Sequence, residues 1–176
     1  MAEMVILVDN DDNPVGEAEK MEAHRLALLH RAVSVFVLNN ENKMLLQKRA
    51  SNKYHSPELW TNTACTHPYP GESNIDAVNR RLMQEMGLKA SNIREIFHFI
   101  YREQLDGELT EHELDHVFIG YSNQPPVPVH GEVSDYAYVD VNTVLENIAT
   151  SPHVFTVWFK KIASRVAEHL KQDGVI

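Results

Sequence analysis

Residues 60–87 read WTNTACTHPYPGESNIDAVNRRLMQEMG, and their order of local signals decides the fold. Trp60 to Cys65 is a strand-like mix. Ser73 is suited to cap a helix, with Asp76 three residues on, and Ile75, Val78, Leu82 and Met86 follow at helical spacing. Gly87 is a natural C-terminal stop, because glycine adopts the left-handed backbone that ends a helix. The segment therefore predicts a strand, a loop and an amphipathic helix in succession.

Upstream, Met4 to Val8 is a short apolar run that stops at Asn10-Asp11-Asp12-Asn13-Pro14, a strand and its turn. Glu17 to Leu29 is rich in helix formers and predicts a helix. Ala32 to Leu38 is β-branched and apolar. A polar turn (Asn39, Asn40, Glu41, Asn42) separates it from Met44-Leu45-Leu46, a hairpin with a buried strand. Residues 49–59 are polar, carry Pro57 and suit a surface loop. Downstream, Ile96 to Tyr101 and His112 to Tyr121 flank the Asp106-Gly107 turn, a second hairpin. A loop with Pro125, Pro126 and Pro128 leads to a short strand at Tyr136 to Val139, then helices at 141–148 and 154–170. No repeat, low-complexity tract or linker divides residues 1–176, so the order predicts one α/β (α+β) domain, a mixed sheet covered by helices.

The 176 residues are 43% hydrophobic and 23% charged, enough for a core without staples. A net charge of -9 argues against a nucleic-acid partner, whose phosphate backbone needs a basic footprint. It leaves room for a small phosphorylated ligand, which needs only a few local cations. The single cysteine rules out an intrachain disulfide and gives no sign of an oxidising compartment. The first residues form no basic leader, and no stretch approaches the roughly 20 apolar residues needed to span a bilayer. A soluble, cytoplasmic protein with no membrane partner is expected.

Four features carry candidate chemistry. Cys65 and His67 sit two apart, on one face if the strand continues, although a lone cysteine is also a common small core residue. Within Glu111-His112-Glu113-Leu114-Asp115-His116, strand alternation puts the three carboxylates on one face and His112 and His116 on the other. Carboxylates so placed repel unless a cation or a proton relieves them; the plain alternative is a solvated edge strand. His24 and His30 converge only if the helix ends between them and His30 opens the next strand. Lys48, Arg49, Lys53 and the pair Arg80-Arg81 are scarce cations placed where they can clamp a diphosphate, or else ordinary surface charge.

Taken together, these segments resemble the type I isopentenyl-diphosphate isomerases of the Nudix superfamily. The resemblance covers nearly the whole chain. It runs through Glu19-Lys20, His24, His30, Lys48-Arg49-Ala50, Lys53, Leu59-Trp60-Thr61-Asn62 and Cys65-Thr66-His67-Pro68. It continues through Gly71-Glu72-Ser73-Asn74, Arg80-Arg81, Glu85-Met86-Gly87, Tyr101-Arg102 and Glu111-His112-Glu113. Anchored at Gly87, the Nudix signature keeps Glu72, Arg80 and Glu85, but Thr66 replaces its opening glycine and Arg81 and Gln84 replace two glutamates. Nudix hydrolases use that carboxylate cluster to hold the metals that activate water, so the loss disfavours hydrolysis and suits a fold reused for another reaction. Thr66 also departs from the glycine usual in the isomerases, which bears on local backbone shape.

The resemblance implies a Nudix-like mixed sheet sandwiched between helices, and roles for particular residues. His24, His30, His67, Glu111 and Glu113 match the ligands of a divalent metal, Mn²⁺, Mg²⁺ or Zn²⁺. Glu85 and the carbonyl of Cys65 match a second site, where Mg²⁺ bridges to the diphosphate. Lys20, Arg49, Lys53 and Arg81 match the cations that hold the diphosphate. Cys65 and Glu113 match the catalytic pair on opposite sides of the substrate alkene, Tyr101 a hydroxyl assisting the glutamate, and Trp158 an indole in the pocket. The implied reaction is a 1,3-proton shift on a small isoprenoid diphosphate by a monomer or homodimer, with proton donor and acceptor unassigned between Cys65 and Glu113. A Nudix pyrophosphohydrolase is the second reading, and a non-catalytic metal-stabilised binding domain the third.

Overall fold

The computed structural model describes residues 2–105 and 107–176; Met1 and Asp106, the first half of the expected Asp106-Gly107 turn, lie outside the described residues. β1 (Met4–Val8) pairs antiparallel with β2 (Pro14–Glu19). The helix expected over Glu17 to Leu29 is confined to α1 (Lys20–Arg25). Its predicted first residues are held in the sheet instead, with Glu17, Ala18 and Glu19 opposite Ile6, Val5 and Met4. The Glu19 carboxylate then caps α1 by accepting from the backbone N–H groups of Met21 and Glu22. Ala27, at φ 52, turns the chain away at the other end.

β3 (His30–Leu38) is parallel to β8 (Thr110–Tyr121) along its whole length, from His30 beside Glu113 to Leu38 beside Tyr121. On the far side of β8 lies β7 (Ser91–Gln104), antiparallel. β8 is therefore an interior strand, and the alternative of a solvated edge for residues 111–116 is overturned. The other edge of β3 is shared among β1, β6 (Ala64–Thr66) and β4 (Met44–Arg49). The expected β3–β4 hairpin closes at a single pair, Leu38 with Met44, before β4 departs to pair with β5 (Trp60–Thr61) and β9 (Val133–Val139). The Thr63 hydroxyl fills the gap where they part: it donates to the Leu45 carbonyl at 2.6 Å and accepts from the Val37 N–H at 2.9 Å. This is why the strand expected from Trp60 to Cys65 is split in two.

α2 (Asn74–Met86) is capped by Ser73, whose hydroxyl accepts from the Asp76 N–H, and ends at Gly87 with φ 58. Val78, Leu82 and Met86 are buried as their spacing predicts, but Ile75 is 43% exposed and Ala77 takes its place against the sheet. α3 (Val141–Thr150) follows β9. α4 (Val157–Gln172) begins later than the expected residue 154, because Pro152–Val154 form a 3-10 turn and the Thr156 N–H donates to the Trp60 carbonyl.

Two apolar layers cover the sheet. α2 packs on Val33, Val35, Val37 and Phe118, while α4 packs through Phe159, Ile162 and Val166 on Phe36, Leu38, Val117 and Ile119. Even and odd residues of the same strands serve opposite layers, so β3 is apolar almost without interruption. The arrangement is the expected mixed sheet between helices. Among the described residues, no helix is long and apolar enough to cross a membrane.

Gly87 gives a test of this packing. A Cβ there would lie 2.6 Å from the Val127 carbonyl oxygen, in a left-handed backbone that side chains disfavour. Gly87→Ala is expected to destabilise the protein by about 1–3 kcal/mol, read from the midpoint of urea unfolding.

Candidate active site

The parallel register sets one rung across three strands: His30 on β3 beside Glu113 on β8, which faces Tyr101 on β7. Alternation turns Glu111, Glu113 and Asp115 toward the α4 side of the sheet, together with Val117 and Ile119. His24 joins them because α1 stops at Arg25 and the chain returns to open β3 at His30, the condition under which the two histidines converge. Their ring centroids are 4.9 Å apart, and His67 lies 4.9 Å from His30 and 5.6 Å from His24.

This cluster fits a metal. His24 Nδ1 is 2.7 Å from the Lys20 carbonyl and His30 Nδ1 is 2.8 Å from the Leu28 carbonyl, so each donates its proton there. The Nε2 atoms are then unprotonated, buried and without a hydrogen-bond partner. An orphaned lone pair in a buried site is costly, and a cation at its tip removes that cost. Ligand atoms of His24, His30, His67 and Glu113 lie within 4.8 Å of one another. Glu111, expected as a fifth ligand, is outside that group; Tyr101 and His55 are its neighbours, with His55 Nε2 at 3.8 Å.

The Tyr101 hydroxyl sits between the two carboxylates, 2.8 Å from Glu113 Oε2 and 3.0 Å from Glu111 Oε2. One hydroxyl proton cannot serve both. Burial pushes Glu111 well above the usual carboxylate range, and the charge of Glu113 adds to that. Burial works the same way on Glu113, but the hydrogen bond from the His67 imidazole overcomes it and holds Glu113 well below that range. His67 Nε2 lies 2.9 Å from Glu113 Oε1, and burial presses its own pKa down to about 4. Cys65 faces the same cavity. Burial, with the charge of Glu85 behind it, pushes its thiol up to about 12, so it holds its proton at neutral pH.

A cavity of about 200 Å³ brings together Lys20, His24, Arg49, Lys53, Cys65, His67, Arg81, Tyr101, Glu111, Glu113 and Trp158. His30 lies beneath it, fully buried. Trp158 is placed by an indole N–H donated to Asn62 Oδ1 at 3.3 Å, and the Arg49 guanidinium lies 5.3 Å from its ring centre. Lys20 is paired with Glu3 at 3.0 Å, and Lys53 with Glu132. Arg81 meets Glu132 at 3.0 Å and Glu85 at 2.5 Å. Glu85 is 3% exposed and also accepts from Gln47 Nε2 at 2.6 Å, so it stands behind Arg81 rather than on the cavity wall.

Arg80 does not join the cluster. It is bound to Glu72 Oε1 at 2.7 Å, and these two retained residues of the altered signature neutralise one another outside the cavity. Lys48 is likewise occupied, by Glu58 at 3.1 Å. Thr66 has an ordinary backbone and is not among the residues with positive φ, so its replacement of glycine stores no strain. Sequence reasoning missed Glu3, Tyr54, His55 and Glu132, all of which line the cavity. His55 is 6% exposed although it lies in the segment expected as a surface loop. No local pattern marks these residues, since each reaches the cavity through a long-range contact.

A NUDIX domain model matches residues 28–159. The chain is 47% identical over 165 residues to an isopentenyl-diphosphate Delta-isomerase of Burkholderia multivorans, covering 94% of this chain and 93% of that protein. It is 43% identical to the protein of the same name in Pectobacterium atrosepticum, over 94% and 92% of the two chains. In fold it is similar to a crystal structure from Deinococcus radiodurans, with a TM-score of 0.77 at 18% identity over 93% of this chain and 98% of that one. A MutT protein from Methanosarcina mazei superposes with a TM-score of 0.64 at 17% identity, over 81% of this chain and 96% of the other.

His55, which is not itself in the histidine cluster, offers a pH test. Burial, reinforced by the charge of Arg49, lowers its pKa to about 3. The unfolded chain takes up that proton near pH 6.5, so the stability His55 confers is complete above about pH 6.5 and is lost as pH falls toward 3. Between pH 7 and 5, the metal-stripped protein is expected to lose about 2 kcal/mol more stability than its His55→Gln variant, measured by denaturant unfolding at each pH.

Proposed function

The chain belongs to the NUDIX family and, within it, to the isopentenyl-diphosphate Delta-isomerases, and we propose that it interconverts isopentenyl and dimethylallyl diphosphate by a 1,3-proton shift. The observation that carries this reading is one cavity lined both by the Cys65 thiol and the Tyr101–Glu113 pair and by Lys20, Arg49, Lys53 and Arg81. It joins a proton-loaded group and a proton-empty group to a diphosphate clamp.

In this reading Lys20, Lys53 and Arg81 exchange their contacts with Glu3 and Glu132 for phosphate oxygens, and Arg49, now held by the carbonyls of His55 and Ser56, is the fourth cation on the diphosphate. Arginine supplies paired donors and lysine a point charge. The C5 chain then lies between Cys65 and Glu113. At neutral pH Cys65 carries a proton and Glu113 does not, as a 1,3-shift requires of its two ends. Protonation of the terminal alkene carbon produces a tertiary cation, and loss of a proton from the neighbouring methylene completes the reaction. An unactivated alkene is a weak base, so the cavity must exclude water and hold the donor close. The face of Trp158 stabilises the developing cation by roughly 0.5–2 kcal/mol. Tyr101 orients the Glu113 carboxyl through its hydroxyl.

The histidine cluster with Glu113 would hold Mn²⁺, Mg²⁺ or Zn²⁺, with Glu111 joining only as it gives up its proton; imidazole nitrogens favour the softer of these. Glu85, which Arg81 now covers, and the Cys65 carbonyl are oxygen donors of the kind Mg²⁺ takes, and would hold such an ion once Arg81 turns from Glu85 to the diphosphate. Such ions supply charge to orient the Glu113 carboxyl and to neutralise the phosphates. We read residues 1–176 as one domain acting in the cytoplasm on this small molecule, as a monomer or homodimer, without nucleic acid or membrane. The free cysteine is in keeping with that compartment.

Incubation with isopentenyl diphosphate and Mg²⁺ in D₂O is expected to place deuterium in both isomers, detected by mass spectrometry. Cys65→Ala should lower kcat by at least about a hundredfold. Release of phosphate or pyrophosphate without isomerisation would instead favour a pyrophosphohydrolase. Removal of bound metal with a chelator is expected to abolish turnover, and elemental analysis before and after identifies the ion.

A further inference from the structure

The opposite face of β8 carries a second set of ligating side chains, remote from the cavity. Glu95, His98 and His116 each present a ligand atom, and these atoms lie within 4.8 Å of one another. His98 and His116 are directly opposed across β7 and β8. Alternation points both away from Glu113, to the other side of the sheet. Glu95 precedes His98 by three residues, a spacing that in a regular strand sends two side chains to opposite faces. Here Glu95 opposes Phe118 and Phe97 opposes Val117, so Ile96 is an extra residue. That bulge returns Glu95 to the histidine face, the kind of re-aiming for which bulges are used.

Three ligand atoms thereby meet. Glu95 Oε1 lies 2.8 Å from His116 Nδ1 and 3.4 Å from His98 Nδ1. His116 is 5% exposed, and its far nitrogen, Nε2, has no hydrogen-bond partner. Asp12 Oδ2 is 3.0 Å from that nitrogen but not in hydrogen-bond geometry. Asp12 is itself fixed by Arg31, through Nε to Oδ1 at 2.7 Å and Nη2 to its backbone carbonyl at 2.8 Å. A small rotation of the His116 ring would bring Asp12 into the hydrogen bond by which carboxylates orient metal-binding histidines. Glu95 and His98 are open to solvent, which leaves an entry path.

We propose that Glu95, His98 and His116 form a second site for one divalent transition-metal ion of the Zn²⁺ class. Two imidazoles and one carboxylate suit that class rather than Mg²⁺ or Ca²⁺, which take oxygen ligands. An ion there would clamp β7 to β8, on the reverse of the strand that bears Glu111 and Glu113. The proposal does not depend on the isomerase reading.

The test is equilibrium dialysis of the metal-stripped protein against Zn²⁺, with elemental analysis, for wild type, His98→Ala, Glu95→Gln and His67→Ala. Wild type is expected to take up two equivalents. His98→Ala and Glu95→Gln should each weaken one equivalent by more than about tenfold, the scale of loss when a ligand's support is removed. His67→Ala should weaken the other and spare this one. Because His98 is exposed, its variant should keep the metal-free melting temperature and lose only part of the rise that Zn²⁺ produces. Uptake by His98→Ala and Glu95→Gln that stays within tenfold of wild type overturns the proposal.

Discussion

The parallel pairing of β3 with β8 sets His30 beside Glu113, and the antiparallel pairing of β7 then sets Tyr101 on the other side of the same carboxylate. Because side chains alternate, a slip of one residue in either pairing would turn Glu113 to the opposite face of the sheet. The register is held by the apolar residues further along the same strands, where Phe36, Val117 and Ile119 meet α4 while Val33, Val35 and Phe118 meet α2. Packing at one end of the sheet thus positions chemistry at the other.

The cavity resolves an electrostatic conflict in three ways. Glu111 is driven toward its protonated form by burial, Glu113 is kept ionised by the His67 imidazole, and the Tyr101 hydroxyl bridges the two. The cations have internal carboxylate partners, Glu3 for Lys20 and Glu132 for Lys53 and Arg81. A ligand with several phosphate oxygens can replace those single carboxylates without leaving any of the three cations bare, which lets an acidic chain keep them in readiness.

The altered signature shows how a shared fold is turned to different chemistry. Arg81 stands where a glutamate would contribute to a hydrolytic metal cluster, and it reaches the cavity wall. Glu72 and Arg80, though retained, are locked together beyond it. The face of β8 that looks away from the cavity carries a separate histidine cluster, reached through a bulge that leaves the His30–Glu113–Tyr101 rung undisturbed.

Local signals in the sequence determined much of this structure. The Ser73 cap, the Gly87 stop and the apolar runs of β1, β3 and β8 are legible because each reflects a preference of adjacent residues. The family resemblance carried by the order of motifs implied that His24, His30, Cys65, His67 and Glu113 form one group. Only the tertiary structure decided that residues 17–19 join a strand, that Ile75 stays exposed, and that Ile96 bulges to move Glu95 across the sheet. It alone brought Glu3, His55 and Glu132 into the cavity. The physical reason is the range of the interaction. Caps, turns and alternation act over a few residues, whereas strand register, burial and the pairing of charges are settled between residues far apart in the chain.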